Sequence, residues 1–207
     1  MPRARLLICN MSVRKAIQEP DGIFFVTFTC YQWMHLFDIV SGYDLVYKQL
    51  DYLKNEGHFI TGYVIMPNHL HFLGGFISTG VDINSRIGTM KRFLAYDIVD
   101  RLKLAGRVDI LNKMSAGVNN TDRKKGKLHQ VFEPSFDVKE CYTWKFILQK
   151  LDYIHYNPCM GKWNLAPSPE DYVHSSAKFY FTGNQGIYPV THIMELEEID
   201  LTRGKYS

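Results

Sequence analysis

No apolar run in this 207-residue chain approaches the roughly 20 residues that a membrane-spanning helix requires. The start, MPRARLLICNM, is basic, but its apolar stretch Leu6-Leu7-Ile8-Cys9 is too short for a secretory signal. A cytoplasmic protein is the expectation. Cysteine is scarce too: Cys9, Cys30, Cys141 and Cys159 lie far apart with no C-x-x-C pair. Neither a disulfide framework nor a structural zinc site is therefore expected. Excess charge is lacking, since 24 Lys+Arg against 21 Asp+Glu leave a net charge of +3, too little to argue for nucleic acid by itself. Internal repeats and low-complexity tracts are absent as well.

What is there is the composition of a folded domain, 46% apolar and 22% charged. It reads as one domain over residues 1–165 and a tail over 166–207 that packs on it or extends it. GIFFVTFTC (22–30), rich in aromatic and β-branched residues, reads as a strand. Leu45, Val46, Leu50 and Leu53 recur at helical spacing over 43–56. GYVIM and HLHFL, separated by Pro67-Asn68, read as a hairpin. Residues 82–104 carry Ile87, Met90, Leu94, Ile98 and Leu102 on one helical stripe, capped by Asp82 or Asn84.

The polar segment 112–128 reads as a mobile loop, LHQVFEPSF as a strand broken at Pro134, and 138–156 as a second long helix. That helix stops at Asn157-Pro158, because proline disfavours helix at the residue before it. Weak strand signals return in the tail at YPVTHIM. The order β-α-β-β-α-β predicts an α+β ferredoxin-like sandwich, an antiparallel sheet with helices on one face. That architecture serves many activities and fixes none.

One short stretch stands out. MPNHLHFLGG sets His69 and His71 on either side of Leu70. Alternate residues of a strand share a face, so both imidazoles point one way and Leu70 and Phe72 the other. Two neutral imidazoles can hold one divalent cation if a third ligand comes from elsewhere. Chance alone yields roughly 0.3 such H-x-H triplets in a chain of this histidine content, so the pair needs a partner.

The helix ECYTWKFILQKLDYIHYNP offers one. At about 100° per residue, Trp144, Ile147, Leu148, Leu151 and Ile154 fall on one apolar arc. Tyr153 lies opposite that arc, and Asn157, four residues on, projects beside it, with Gln149 and Lys150 one turn back. His155 falls on the apolar side and reads as a packed structural histidine. Tyr156 is about 60° off the Tyr153 direction, which makes it the fallback nucleophile.

YVIMPNHLHFL (63–73) followed far downstream by DYIHYNP (152–158) resembles the single-tyrosine HUH transposases, in particular the REP-associated tyrosine transposases. The resemblance extends to GIFFVTFT and to PEDYVHSS, and so spans roughly residues 22–180. It implies that His69, His71 and Asn157 are metal ligands, that Tyr153 is the nucleophile, and that the substrate is single-stranded DNA next to a hairpin. It implies Mg²⁺ or Mn²⁺ as cofactor, because an open site with an amide ligand suits harder ions than zinc. Covalent attack by the tyrosine would leave a free 3′-OH and a 5′-phosphotyrosine, whose retained bond energy allows rejoining. The chain departs from the pattern at Cys159-Met160-Gly161-Lys162-Trp163 and in the polar insert at 112–127, which bears on DNA-sequence preference.

On this reading Lys91, Arg92 and Arg101, with Arg123, Lys124, Lys125 and Lys127, track the DNA backbone. Monomer and homodimer both remain open, and in a dimer the tyrosine can come from the partner chain. Two rivals stand beside it. One is a non-catalytic single-stranded nucleic-acid-binding module that stacks bases on Phe24, Phe25 and Phe28 of its first strand, though it lacks an RNP1 stretch. The other is a metal-dependent hydrolase working through activated water.

Overall fold

The first strand, β1 (Gly22–Cys30), places Phe24, Val26, Phe28 and Cys30 on one face and Phe25 on the other, all buried. In this computed structural model, residues 17 and 19–203 are described; the basic N-terminal stretch and Cys9 lie outside them. A short helix α1 (Leu36–Ile39) leads to α2 (Tyr43–Asn55), which returns the chain to β2 (Phe59–Met66). Met66 faces His69 across the Pro67-Asn68 turn, so β3 (His69–Phe76) forms the expected hairpin with β2. The helix α3 (Ile83–Leu104) begins where Asp82 accepts a hydrogen bond from the Ser85 amide, as its cap position predicts.

The last strand, β4 (Phe132–Glu140), completes a four-stranded antiparallel sheet of order β2-β3-β1-β4. Pro134 does not break β4, contrary to the sequence expectation. It sits in an edge strand where the register with β1 shifts between Phe28 and Cys30, a place that tolerates a missing N–H. The strand also claims residues 138–140, so the following helix α6 starts later than its apolar pattern suggests, at Trp144 (Trp144–Tyr156), with Thr143 as its cap.

Helices cover both faces of the sheet rather than one. Leu50 of α2 and Ile87, Met90 and Leu94 of α3 pack with Phe24, Phe28, Leu70 and Phe72. On the opposite face Ile147, Leu151 and Ile154 of α6 pack with Phe25, Val64, Met66 and Leu73. The reason is in the strands: β2 turns Tyr63 and Ile65 to one face and Val64 and Met66 to the other, and a sheet apolar on both faces needs two covers. The buried arc of α6 is narrower than its periodicity suggests, since Trp144 and Leu148 remain exposed.

The segment expected to be a loop holds two helices, α4 (Val108–Ala116) and α5 (Asn120–Lys124). Starting just ahead of that segment, Ile110, Met114 and Val118 are buried at four-residue spacing, a signal masked by the surrounding Asn and Lys. The tail, with its helix α7 (Ala177–Thr182), seals the outer edge of β2. Ile65 N–H donates to His174 O (2.9 Å), Ser176 N–H to Tyr63 O (3.0 Å) and Thr191 N–H to Ile60 O (3.0 Å). YPVTHIM forms no strand; His192 and Glu195 build a capping box there that starts a 3₁₀ turn at Ile193. Among the described residues no helix is long and apolar enough to cross a membrane.

Candidate functional site

β3 runs beneath α6, and their repeats match. Two residues along a strand cover about 6.6 Å and four along a helix about 6 Å. An antiparallel helix can therefore set Tyr153 over His71 and Asn157 over His69. This is the pairing observed: the Tyr153 and His71 rings are 5.1 Å apart, and the Asn157 carboxamide stands beside His69. The two imidazoles lie 4.7 Å apart and each is only 5% exposed. Phe25 stacks on His71 at 5.6 Å and meets Tyr153 edge-on at 6.1 Å, so one ring seats both.

Each histidine is held from behind. Asn68 Oδ1 is 2.6 Å from His69 Nδ1, while Asn68 Nδ2 donates to Trp33 O at 2.9 Å. The carboxamide is thus oriented with its oxygen toward the imidazole, so His69 Nδ1–H donates and Nε2 keeps its lone pair. Thr27 sits opposite His71 in the sheet, and its hydroxyl oxygen is 2.6 Å from His71 Nδ1. A proton on Nδ1 makes that bond and frees Nε2 in the same way.

Burial pulls His69 down to about 4, with Asn157 opposing and the Lys162 charge assisting. His71 is driven well below its ordinary value by burial first, then by His69 and Lys150. Both rings are therefore neutral near pH 7, the form in which imidazole binds a metal. His71 Nε2 and Asn157 Oδ1 are buried and have no hydrogen-bond partner. Orphans of this kind are costly, and a cation would satisfy both. Among the described residues no cluster of three His, Cys, Asp or Glu could hold a metal ion. Beside the histidines, Asn157 supplies an amide oxygen that could serve as a third protein ligand.

His155 is buried, with Nε2 3.0 Å from Ser176 Oγ, and is the packed histidine expected. Tyr156 turns toward the tail, edge-on to Phe181 at 6.0 Å. It does not share the place of Tyr153. The basic residues of α3 lie on the other face of the sheet from the histidines. Lys91 donates to Glu133 O and Arg101 forks onto Asp44, while Arg92 lies over Phe93. Arg123 donates to Ser115 O and Lys127 pairs with Asp122, leaving Lys124 and Lys125 exposed on the insert.

The cations that reach the site are Lys150, 4.8 Å over Phe25 and 5.8 Å over Tyr153, and Lys162. Two tryptophans flank His69, Trp163 at 5.6 Å and the exposed Trp33 at 6.2 Å. Trp33 is held there by consecutive left-handed residues, Gln32 (φ 50) and Trp33 (φ 57), which is strained backbone for side chains of this size. Thr27, Asn68, Trp33, Trp163 and Lys162 were not picked out as site residues by sequence reasoning. Asn68, in the turn just before His69, carries a local signal, and Lys162 and Trp163 lie in the 159–163 stretch that departs from the family pattern.

No protein-family profile matches the chain, and no curated protein matches its sequence. Solved structures do. A REP-associated tyrosine transposase bound to a REP hairpin is 16% identical with a TM-score of 0.58, over 94% of this chain and 98% of that one. A candidate transposase from Deinococcus radiodurans R1 is 14% identical, over 70% of this chain and 95% of that one, but its TM-score of 0.39 carries no weight. The likeness to the first is one of fold.

Proposed function

We propose that this protein is a single-tyrosine HUH transposase or a close derivative, cutting and rejoining single-stranded DNA beside hairpins. The sheet order and the β-α-β-β-α-β sequence of elements are read as a ferredoxin-like sandwich with α6 added on its second face. One observation carries the reading: Tyr153 and Asn157, from one helix, stand over His71 and His69, with His71 Nε2 and Asn157 Oδ1 buried and unpartnered. The fold shared with a hairpin-bound tyrosine transposase supports it.

In this mechanism the Tyr153 hydroxyl oxygen attacks the scissile phosphorus. The Tyr–O–P bond forms, the P–O3′ bond breaks, and the phenolic proton is balanced by the one gained at the leaving 3′ oxygen. The 3′-OH of an incoming strand later reverses these changes. His69, His71 and Asn157 would hold Mg²⁺ or Mn²⁺, which supplies Lewis acidity at the phosphate when bound. Phe25 and His71 hold the Tyr153 ring edge-on beside the candidate metal site, which supports its role as the nucleophile. Lys150 adds positive charge beside the Tyr153 ring, where it would favour an approaching phosphate.

The base-stacking rival needs open aromatics on the sheet. Phe24, Phe25 and Phe28 are instead 0%, 3% and 1% exposed, covered by helices on both faces. The test is a covalent adduct. Labelled single-stranded hairpin DNA with Mn²⁺ is expected to give a denaturation-resistant protein–DNA species that vanishes in Tyr153→Phe. Cleavage persisting in that variant removes the tyrosine from the mechanism, and no cleavage of a hairpin panel by either protein removes the nuclease reading.

A further inference from the structure

Beside the histidines opens a cleft of about 490 Å³, large enough for one nucleoside and its water. Trp163 and Pro67 are shared walls, Trp163 lying 5.6 Å from His69 and Pro67 two residues before it. The lining is aromatic: Tyr43 and His174 stack face to face at 3.7 Å and 5°. Aromatic side chains lining a groove are surfaces on which nucleic-acid bases stack. Asp38 is the one acidic residue in the lining, and its charge is felt at both Tyr43 and Tyr172. Lys162 is the one lysine or arginine there, its ammonium 5.4 Å over the Trp163 ring and its charge felt at His69. A planar ligand with hydrogen-bond donors on one edge and a negative charge toward the histidines fits these groups.

We infer that the cleft takes one unpaired guanine next to the scissile phosphate. The inference rests on the reading above that the chain acts on single-stranded DNA. The guanine ring stacks on the Trp163, Tyr43 and His174 surface, and its neighbouring N1–H and N2–H donate to the two oxygens of Asp38. Thymine and cytosine lack that pair of adjacent donors, and so does adenine. The backbone phosphate between this guanine and the histidines lies within reach of Lys162. Seating a base here turns it out of the stack, as enzymes that act on nucleic-acid strands commonly do. Asp38 is then a specificity residue and takes no part in the chemistry.

The test uses the full chain without added metal. Fluorescein-labelled six-nucleotide strands of thymidine, carrying guanine, adenine or cytosine at each position in turn, are titrated and read by anisotropy. One position is expected at which guanine binds about tenfold tighter than any other base. Asp38→Asn, an isosteric change at an exposed residue, is expected to reduce that preference to within about twofold, read as the ratio of guanine to all-thymidine affinity in the same variant. Trp163→Ala should weaken the guanine strand about tenfold, and Trp163→Phe less. Equal or undetectable binding of all strands by the wild type overturns the inference, as does a guanine preference that survives Asp38→Asn. A wild type that forms the tyrosine adduct yet shows no base preference removes the cleft from the account and leaves the nuclease. A preference lost in Asp38→Asn with no adduct does the reverse.

Discussion

The Asn68 side-chain oxygen lies 2.6 Å from Nδ1 of His69, and the nitrogen of the same amide donates to the carbonyl of Trp33. One buried carboxamide thus sets the tautomer of a candidate ligand and pins a strained turn. Removing it should loosen both. Asn68→Ala is expected to weaken Mn²⁺ binding about 10–100-fold by calorimetry, the range for an outer-shell partner of a metal-bound histidine. Trp33 fluorescence should shift in the same variant without metal present. Unchanged Mn²⁺ affinity would mean that His69 needs no orienting partner.

Thr27 is the equivalent support for His71. Thr27→Val keeps the shape of the side chain and deletes the oxygen 2.6 Å from Nδ1. The variant should lose about 1–3 kcal/mol of stability, because the imidazole nitrogen is left buried and unpaired. Adduct formation should fall with Mn²⁺ affinity. A variant as stable as wild type in urea titration would show that water replaces the hydroxyl.

His69 is expected to serve chemistry more than folding. His69→Ala should abolish cleavage while hairpin binding stays within a few-fold of wild type, since the basic and aromatic rim is untouched. Gel-shift titration beside the cleavage assay separates the two. Equal loss of both activities would assign His69 a role in folding.

Much of this site could be read in the sequence because two regular repeats carry it. The period of two in HLHFL aims His69 and His71 together, and the four-residue step from Tyr153 to Asn157 does the same on α6. The side of the sheet that α6 covers was less accessible. It follows from β2, whose Tyr63 and Ile65 pack on one face and whose Val64 and Met66 pack on the other, whereas the element order alone places every helix on one side. Thr27 was beyond reach for another reason: its meeting with His71 depends on a strand register 44 residues apart. The place of the basic residues relative to the histidines was not legible either. Charge along α3 marks its solvent side, and only packing shows that this side faces away from the histidines.

The stability of the fold should depend on pH through its buried histidines. Burial lowers both His58 and His155 to about 4, while the unfolded chain titrates near 6.5. Below about pH 6.5 the unfolded state therefore takes up protons that the folded state refuses. Stability is fully present above that pH and is lost as the pH falls toward about 4. Urea midpoints should drop steadily from about pH 7 to about pH 5. In His155→Gln, which retains a partner for Ser176, the drop should be shallower. A midpoint that stays flat or rises on acidification would show that these rings are protonated in the folded protein.

The approach of α6 to the sheet is set by Gly62. A Cβ at that position would stand 2.6 Å from Leu151 Cδ1, with Ser176 Oγ and Ile154 Cδ1 also within 4 Å. The glycine therefore lets the helix that carries Tyr153 and Asn157 lie close over β2 and β3. Gly62→Ala should force Leu151 to shift and cost about 1–3 kcal/mol, the usual range for overpacking. Gly62→Val should cost more. Because the strain falls on α6, the adduct yield should decline more steeply than stability, since a displacement of about 1 Å at a reacting group costs on the order of a hundredfold in rate. Leu151→Ala in the Gly62→Ala background makes room for the added methyl and should recover part of the yield. Recovery of stability without recovery of adduct would show that Gly62 acts on packing alone and that the Tyr153–His71 spacing is set elsewhere.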